Sequence, residues 1–191
     1  MTVFGIGGSP KKNGLTDNLL DKALAGAGSA GAVGKKIILN DLDFKPCLDC
    51  GGCGKKGICV IDDDMRILYG EFESADAVII ASPIFFGSVT AQLKTMIDRF
   101  QSAWVSKYVL RKTRAYKRRR KGVFLCAAGQ DNRKYFENAR QIIRILFATL
   151  DIDYAGELFF GGSSNVKAKN SKKKEAALKK AFELGRALVK I

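Results

Sequence analysis

The sequence contains no histidine. This absence excludes metal sites built on imidazole ligands, nucleophilic catalysis by Ser-His or Cys-His pairs, and acid–base catalysis by histidine. Much hydrolytic chemistry is excluded with them, so the search for function turns to residues that bind a cofactor or a metal rather than to a catalytic triad.

The sequence also lacks a long hydrophobic run. It has no stretch of about 18 or more uncharged apolar residues, and its start, MTVFGIGGSPKKNG, passes from a short apolar run directly into a glycine-rich turn. We therefore expect no membrane span, no signal peptide, a cytoplasmic location and reduced cysteines. With 191 residues, 47% of them hydrophobic, we expect one core and a single domain over residues 1–191.

Acidic residues are scarce relative to basic ones: 33 Lys and Arg face 19 Asp and Glu, a formal net charge of +14. This balance suits a nucleic acid, a membrane surface, an anionic cofactor or an acidic protein partner, and does not choose among them. For the basic run Arg111–Lys121 we favour a solvated connection, then a docking surface for an acidic redox protein. Nucleic-acid binding ranks third because no recognised motif or set of stacking aromatics accompanies the run. The lysine-rich stretch Lys167–Lys174 is interpreted as a solvated helix start.

Four of the five cysteines lie close together in the segment 46–61 and follow the pattern C-x2-C-x2-C-x5-C: Cys47, Cys50, Cys53 and Cys59. Thiols at this spacing form disulfides, a tetrahedral zinc site or the ligands of an iron–sulfur cluster. The four glycines among them relax the backbone, which lets the sulfurs turn toward one small body. A metal or a cluster is therefore the first hypothesis. The fifth cysteine, Cys126, lies in an apolar run and is interpreted as a small buried hydrophobe.

The N-terminal segment predicts a strand, a polar loop and a helix. Thr2–Ile6 is a short apolar strand, the loop GGSPKKNGLT follows it, and an amphipathic helix begins near Asp17. Several hydrogen-bond donors would converge at this point: the loop amides, the hydroxyls of Ser9 and Thr16, and the amides of the helix N-terminus. Together they would form a binding site for a phosphate. The loop matches neither G-x-x-x-x-G-K-[ST] nor G-x-G-x-x-G, and the alternative is a turn that binds no ligand.

A second loop of interest, 83–88, follows the unbroken apolar run 77–82, which predicts a strand covered on both faces. Ligands of open α/β sheets bind outside the carboxyl ends of the strands, so this loop is placed to contact a flat aromatic ring. The alternative is that Phe85 and Phe86 fill the core, which we expect of one of the two.

Apolar runs and helical periodicity alternate along the whole chain. The pattern predicts an α/β doubly wound parallel sheet with helices on both faces. A third loop, around 127–130, lies at the same sheet edge, and a small-residue turn is expected over 26–34. We interpret the aspartates 62–64 as helix caps rather than metal ligands. The five predicted strands are 2–6, 36–40, 77–82, 123–127 and 154–160.

Three features, GSPKKNGLT, SPIFFGS and the four-cysteine segment between them, together resemble the flavodoxin-like NADPH-dependent FMN reductases and, within these, the iron–sulfur flavoproteins. The resemblance implies a five-stranded flavodoxin-like sheet that binds FMN. The phosphate would contact Ser9, Lys11, Asn13 and Thr16. The isoalloxazine would contact Pro83, Ile84, Phe85, Phe86, Gly87 and Ser88, with Ala128 and Gly129 in the third loop.

The same resemblance implies that the four clustered cysteines hold a [4Fe-4S] cluster, that the chain forms a homodimer or homotetramer, and that electrons are exchanged with a ferredoxin-like carrier. The sequence departs from the family pattern at Lys11, which replaces an arginine and loses bidentate phosphate geometry. Leu15 replaces a small polar residue, and Phe85 replaces a tyrosine.

The expected function is therefore that of an electron-transfer iron–sulfur flavoprotein, which passes electrons between an acidic, ferredoxin-like one-electron carrier and an acceptor through a [4Fe-4S] cluster and FMN. We expect the cysteine segment to lie near the sheet edge that holds the flavin. The alternative is an NAD(P)H-dependent FMN or quinone reductase whose cysteines hold zinc, form a redox disulfide or have no role. A nucleic-acid-associated regulator is a more distant alternative.

Overall fold

A computed structural model describes residues 1–112, 119–164 and 169–189. Strands and helices alternate from the first residue onward. They are β1 (Thr2–Gly7), α1 (Leu15–Ser29), β2 (Val33–Ile38), α2 (Met65–Ser74), β3 (Ala77–Pro83), α3 (Ala91–Arg99), α4 (Gln101–Trp104), β4 (Arg120–Ala127), α5 (Arg133–Thr149), β5 (Ile152–Phe160) and α6 (Lys169–Val189). A 3₁₀ turn, Leu39–Asp41, follows β2, and a π-helical turn, Val105–Val109, follows α4.

The strands form one parallel sheet in the order β2-β1-β3-β4-β5. This order is the flavodoxin-like doubly wound topology and confirms the predicted fold class. The chain crosses over between β1 and β3, which are neighbours in the sheet although β2 lies between them in sequence. The loops that follow β1, β3 and β4 consequently meet at one carboxyl edge.

The sheet buries apolar side chains on both faces. On one face Phe4, Val78 and Ile80 belong to a core with α2, α3 and α5, whereas Val3 and Ile79 belong to the opposite core with α1 and α6. Alternate residues of β3 therefore point into different cores, and both cores are apolar. This arrangement explains why β3 is an unbroken apolar run rather than an alternating one.

The predicted turn over 26–34 is wrong at both ends, because α1 continues to Ser29 and β2 begins at Val33. The second strand therefore starts three residues before its predicted first residue and ends at Ile38, where a 3₁₀ turn takes over.

Small residues occur at the end of α1 because α1 packs closely on α6. A Cβ atom on Gly26 would clash with the backbone oxygen of Phe182, and one on Gly185 would clash with that of Ala23. The small side chains thus reflect helix packing rather than a break in the helix.

The basic run 111–121 is not uniformly solvated. β4 begins at Arg120, three residues earlier than predicted, and the Arg120 side chain is buried and donates to the carbonyl oxygens of Phe72 and Leu150. Arg119 is exposed and pairs with Asp153. Residues 113–118 of this run lie outside the described part of the chain, as do residues 167 and 168 of the lysine-rich stretch.

Across the three described ranges, every helix is too short or too polar to cross a membrane.

The contact between α1 and α6 generates a stability prediction. Gly26→Ala is expected to lower the free energy of unfolding by about 1–3 kcal/mol, because the new methyl group has to push α6 away. Gly28→Ala is the matched control: it lies in the same helix with nothing within 4 Å of its added Cβ, and we expect it to stabilise the protein by about 0.5–1 kcal/mol. Urea unfolding measures both changes, and equal effects of the two substitutions would contradict this packing.

Candidate functional site

The first loop forms a tight polar turn at the N-terminus of α1. The Ser9 hydroxyl accepts a hydrogen bond from the Lys11 amide and donates one to the Lys11 carbonyl oxygen, both at 3.2 Å. Asn13 adopts a positive φ of 57°, and Thr16 is buried in the first turn of the helix. Within the part of the chain that the structure describes, no side chain caps the helix at Gly14. The free amides of an uncapped helix N-terminus favour an anion such as phosphate.

Sequence reasoning missed the residue that holds this loop in shape. Asp17 is buried; one of its carboxylate oxygens accepts the Asn13 amide at 2.8 Å and the other pairs with Lys36 at 2.5 Å. Burial lowers the pKa of Lys36, but its hydrogen bonds to Asp17 and Asp21 raise it above its ordinary value overall. The carboxylate in the first helical turn is visible in the sequence, but the lysine that neutralises it comes from β2.

The second loop is a two-residue hairpin. The amide of Phe85 donates to the carbonyl oxygen of Ser88 at 2.9 Å, and the amide of Ser88 donates back at 3.0 Å. Phe86 and Gly87, at the tip, have φ values of 49° and 74°. A positive φ is rare for a bulky residue, and such strain is concentrated at functional sites.

Neither phenylalanine of this loop fills the core, so the expectation that one of them does is wrong. Phe85 is 48% exposed and Phe86 is fully exposed at the tip. Two aromatic side chains are thus left in contact with solvent at the carboxyl edge, where a flat ligand would cover them.

The second and third loops enclose one open cavity of about 480 Å³. Main-chain hydrogen bonds fix the loops, from the Ile84 amide to the Ala127 oxygen and from the Ala128 amide to the Phe160 oxygen, both at 2.8 Å. The cavity is lined by Ile84, Phe86, Gly87, Ala128, Gly129, Gln130 and Tyr135.

Five of the predicted flavin residues therefore line this cavity, whereas Pro83, Phe85, Ser88 and the four residues of the first loop lie outside its lining. Sequence reasoning missed the contribution of α5. Tyr135 borders the cavity beside Gly87, and the Asn138 side-chain amide donates to the Gly87 oxygen at 2.8 Å. These two residues follow the second loop by about 50 positions, and no local pattern marks them.

The buried residue Thr90 joins the first loop to the second. Its hydroxyl donates to the Gly8 carbonyl oxygen at 2.6 Å and accepts the Leu93 amide at 3.3 Å, which also caps α3. The Thr90 amide in turn donates to the Ser82 hydroxyl at 3.3 Å. The three loops are consequently connected at one edge. An uncapped helix end, exposed aromatic rings and a broad cavity together fit a flat ligand that carries a phosphate.

The four clustered cysteines lie around a separate cavity of about 120 Å³. All four thiols are free; Cys50 is exposed and the other three are half-buried. Burial raises the pKa of the Cys53 thiol; a backbone hydrogen bond opposes this, and the charges of Cys59, Cys47 and Cys50 raise the pKa further. The four sulfurs are therefore close enough to influence one another. The fifth, Cys126, is fully buried in β4, as predicted, and burial raises its pKa strongly.

Among the described residues, no three Cys, Asp or Glu side chains already stand close enough to hold a metal ion. The donor set nevertheless fits a thiolate-ligated metal or cluster, because four free thiols border one cavity and soft sulfur ligands favour zinc and iron–sulfur centres. Arg99 also borders this cavity, and its Nε atom is buried and has no hydrogen-bond partner within the described ranges.

A buried ion pair attaches the cysteine segment to the body of the protein. Arg99, the last residue of α3, donates to the Lys45 carbonyl oxygen at 2.8 Å and to the Asp63 carboxylate at 2.6 and 3.0 Å. Asp63 also accepts the amides of Lys45 and Met65, the latter at the start of α2. Of the aspartates 62–64, the predicted caps, Asp63 accepts an amide at the start of α2, whereas the side chain of Asp64 at the N-cap position accepts the Asp43 amide instead. Asp63 is also a tether for the segment.

The two cavities lie at opposite ends of α3. Thr90 caps the helix beside the flavin loops, whereas Arg99, Gln101, Ser102 and Val105, which line the cysteine cavity, lie at or beyond its other end. Nine residues of helix span about 13 Å, and the linings of the two cavities share no residue. The expected placement of the cysteine segment near the flavin edge thus differs from the structure, because the segment folds away along α3.

Comparison with known proteins identifies the family of this chain. A sequence model of the family described as NADPH-dependent FMN reductase matches residues 1–157. The chain is 36% identical to an iron-sulfur flavoprotein of Methanosarcina thermophila over 99 residues, and these residues make up 52% of this chain and 52% of that protein. It is 43% identical over 99 residues to one of Archaeoglobus fulgidus, or 52% of this chain and 45% of that protein. The chain spans about half the length of these curated relatives.

Solved structures show the same fold at low sequence identity. A NAD(P)H:quinone oxidoreductase from Methanothermobacter marburgensis superposes with a TM-score of 0.73 at 18% identity, covering 100% of this chain and 98% of that one. The azoreductase AzrA superposes with a TM-score of 0.74 at 16% identity, covering 98% of this chain and 100% of that one. At these identities the likeness concerns the fold alone.

The ion pair of Arg99 and Asp63 predicts a pH dependence of stability. Burial raises the pKa of Asp63, but hydrogen bonds from Arg99 and from two amides lower it below its ordinary value overall. A carboxylate whose pKa is lower in the folded than in the unfolded chain stabilises the fold above its unfolded pKa, about 3.9, and this contribution is lost as the pH falls through the folded pKa. Asp63→Asn should cost about 3–5 kcal/mol at neutral pH, because Arg99 stays buried without its counter-charge.

Urea unfolding of the wild type and Asp63→Asn over a range of acidic to neutral pH measures this effect. The stability difference between them should shrink as the pH falls through the folded pKa of Asp63. Asp62→Asn is the control, because Asp62 is exposed and pairs with Arg66 at the surface, where an ion pair contributes about 0–1 kcal/mol. A difference that stays constant over the whole pH range would contradict the assignment.

Proposed function

Because this chain belongs to the NADPH-dependent FMN reductase family, we propose that it is an FMN-dependent electron-transfer flavoprotein whose four clustered cysteines hold a [4Fe-4S] cluster. The observation that carries the proposal is the pair of separate sites on one fold. One is a flavin-sized cavity at the carboxyl edge, and the other is a small cavity bordered by four free thiols. The curated relatives named iron-sulfur flavoproteins support the same assignment.

In this proposal the loops at the carboxyl edge would bind and orient FMN. The amides at the start of α1 and the hydroxyls of Ser9 and Thr16 would hold the phosphate, and Lys11 would supply charge from the exposed side of the loop. Phe86 and Tyr135 would cover the ring system and exclude water from it, and Gly87 and Ala128 would border it.

The cysteine segment holds the cluster through Cys47, Cys50, Cys53 and Cys59 in this proposal. FMN exchanges electrons singly or in pairs and an iron–sulfur cluster exchanges them singly, so a protein with both converts between the two modes. The chain itself supplies binding, orientation and charge. The absence of histidine is compatible with this role, because the cofactors carry the redox chemistry.

An acidic one-electron carrier of the ferredoxin type is the partner that we propose. The chain has a net charge of +14, and three lysines lie on or beside the cysteine segment: Lys55, Lys56 and Lys112. Lys112 is anchored there by a hydrogen bond from its ammonium group to the Lys56 oxygen at 2.9 Å. A positive surface next to the proposed cluster would speed encounter with an acidic carrier, and added salt would weaken that effect. A homodimer or homotetramer and NAD(P)H as a donor remain part of the proposal.

The first test is the cofactor content of protein purified without oxygen. We expect about four irons, about four acid-labile sulfides and one FMN per chain. Cys50→Ser should remove the iron and sulfide but leave the FMN, because the two cavities share no lining residue. Cys126→Ala is the matched control and should keep both cofactors, since Cys126 lies in the sheet core. Zinc without sulfide in the wild type would contradict the cluster, and loss of FMN from Cys50→Ser would contradict two independent sites.

The second test compares electron donors. A reduced acidic one-electron carrier should reduce the bound flavin of the wild type faster than NADPH does, and the rate should fall as salt is added. Cys50→Ser should lose reduction by the carrier. Fast reduction by NADPH that is equal in the wild type and Cys50→Ser would instead support an NAD(P)H-dependent FMN or quinone reductase in which the cysteines have no electron-transfer role. Stopped-flow absorbance of the flavin measures these rates.

A further inference from the structure

Arg99 occupies an unusual place for a charged side chain. It is the largest fully buried side chain of the described residues, and it lies where α3 meets the cysteine segment. Its hydrogen bonds reach both flanks of that segment: the Lys45 oxygen before the first cysteine, and the Ile61 oxygen and Asp63 carboxylate after the last. The guanidinium therefore closes the segment into a loop around its own position.

The charge of Arg99 is permanent. Arginine stays protonated in proteins, and its planar group donates five hydrogen bonds in fixed directions. Its terminal nitrogens are used by the contacts to the flanks, whereas Nε is buried and has no partner among the described residues. A buried donor left without a partner is costly, and it indicates a group that is completed by something bound nearby.

The Nε atom belongs to a side chain that borders the cysteine cavity. Arg99 lines that cavity together with the four cysteines. Burial lowers the pKa of the Arg99 guanidinium, but the neighbouring groups of Asp63, Tyr69 and Cys59 raise it above its ordinary value overall. Tyr69, whose hydroxyl donates to the Arg99 carbonyl oxygen at 2.8 Å, interacts with the same thiol. Cys59 is thus the cysteine that faces a fixed positive charge.

We propose that Arg99 is a positioning residue that orients Cys59 and raises the reduction potential of the cluster held by the four cysteines. The inference rests on the proposed function. The Arg99 Nε–H donates to the Cys59 sulfur when that sulfur is an ionised ligand, and the guanidinium charge offsets the negative charge that the centre gains when it accepts an electron. Asp63, which pairs with the guanidinium at 2.6 Å, partly cancels this charge.

The physical basis is the dependence of cluster potentials on local charge and on hydrogen bonds to sulfur. Net charge, hydrogen bonds to the sulfurs and solvent exposure set the potential of an iron–sulfur centre. Reduction adds a negative charge, so a nearby cation and an N–H···S hydrogen bond favour the reduced form. Removing the Arg99 cation should therefore lower the reduction potential of the cluster. Removing the Asp63 carboxylate, which partly cancels that positive charge, should raise the reduction potential.

The two members of the ion pair therefore allow a test in which the direction of the effect matters. In a redox titration of the anaerobic full-length protein followed by electron paramagnetic resonance, Arg99→Gln should lower the ratio of reduced to oxidised cluster at least about tenfold at a fixed applied potential, or about 59 mV for one electron. Asp63→Asn should shift the ratio in the opposite direction. Arg66→Gln is the matched control, because Arg66 is exposed and pairs with Asp62 at the surface, and we expect no shift.

Iron and sulfide content, measured on the same samples, separates the outcomes. A wild type without iron and sulfide overturns the proposed function together with this inference. A loaded wild type whose potential is unchanged in Arg99→Gln, or shifts in the same direction in both variants, overturns only this inference. If Arg99→Gln does not retain its cluster, Asp63→Asn carries the test alone, and a raised potential supports the inference. Loss of the cluster from both variants assigns Arg99 a purely structural role and overturns the effect on potential.

Discussion

Everything in this structure depends on a parallel sheet that is covered on both faces. Parallel neighbours cannot be joined by a hairpin, so every strand is followed by a helix that returns the chain to the opposite edge. The loops after β1, β3 and β4 then meet at one carboxyl edge although they are far apart in sequence. Both faces of β3 are buried, so its end can support the exposed hairpin around Phe86 without any contribution from that hairpin to the core.

The edge site is held by polar groups that no ligand has to contact. Thr90 joins the first loop to the second through a hydrogen bond to the Gly8 oxygen. The Asp17 carboxylate accepts the Asn13 amide, and Lys36 neutralises the charge of that carboxylate. These contacts are buried or partly buried, which shields them from water and fixes the loop conformations before a cofactor binds. Preorganisation of this kind lowers the entropy that binding has to overcome.

The cysteine segment obeys a different constraint, because it has few apolar side chains to bury. Leu48, Ile58 and Val60 are all more than 60% exposed, so the hydrophobic effect does little to hold the segment in place. The buried pair of Arg99 and Asp63 takes that role by binding both flanks. The same pair places a permanent charge at the lining of the cysteine cavity, so attachment of the segment and the charge near its thiols come from one interaction. Because the segment lies at the far end of α3, its cavity is separate from the flavin cavity.

The sequence by itself determined the fold class, the five strands and the three edge loops, since apolar periodicity and glycine-rich turns are local properties that the chain carries wherever it folds. It also singled out the four clustered cysteines, because their spacing is itself the signal, and the structure places all four around one cavity. Only the tertiary structure decided that Gly26 belongs to a helix contact, that Phe85 and Phe86 are both exposed and that Arg120 is buried. It alone brought Tyr135, Asn138 and Lys36 to the edge site, and Arg99 to the cysteines. These outcomes depend on contacts between segments distant in sequence, which local propensity does not encode.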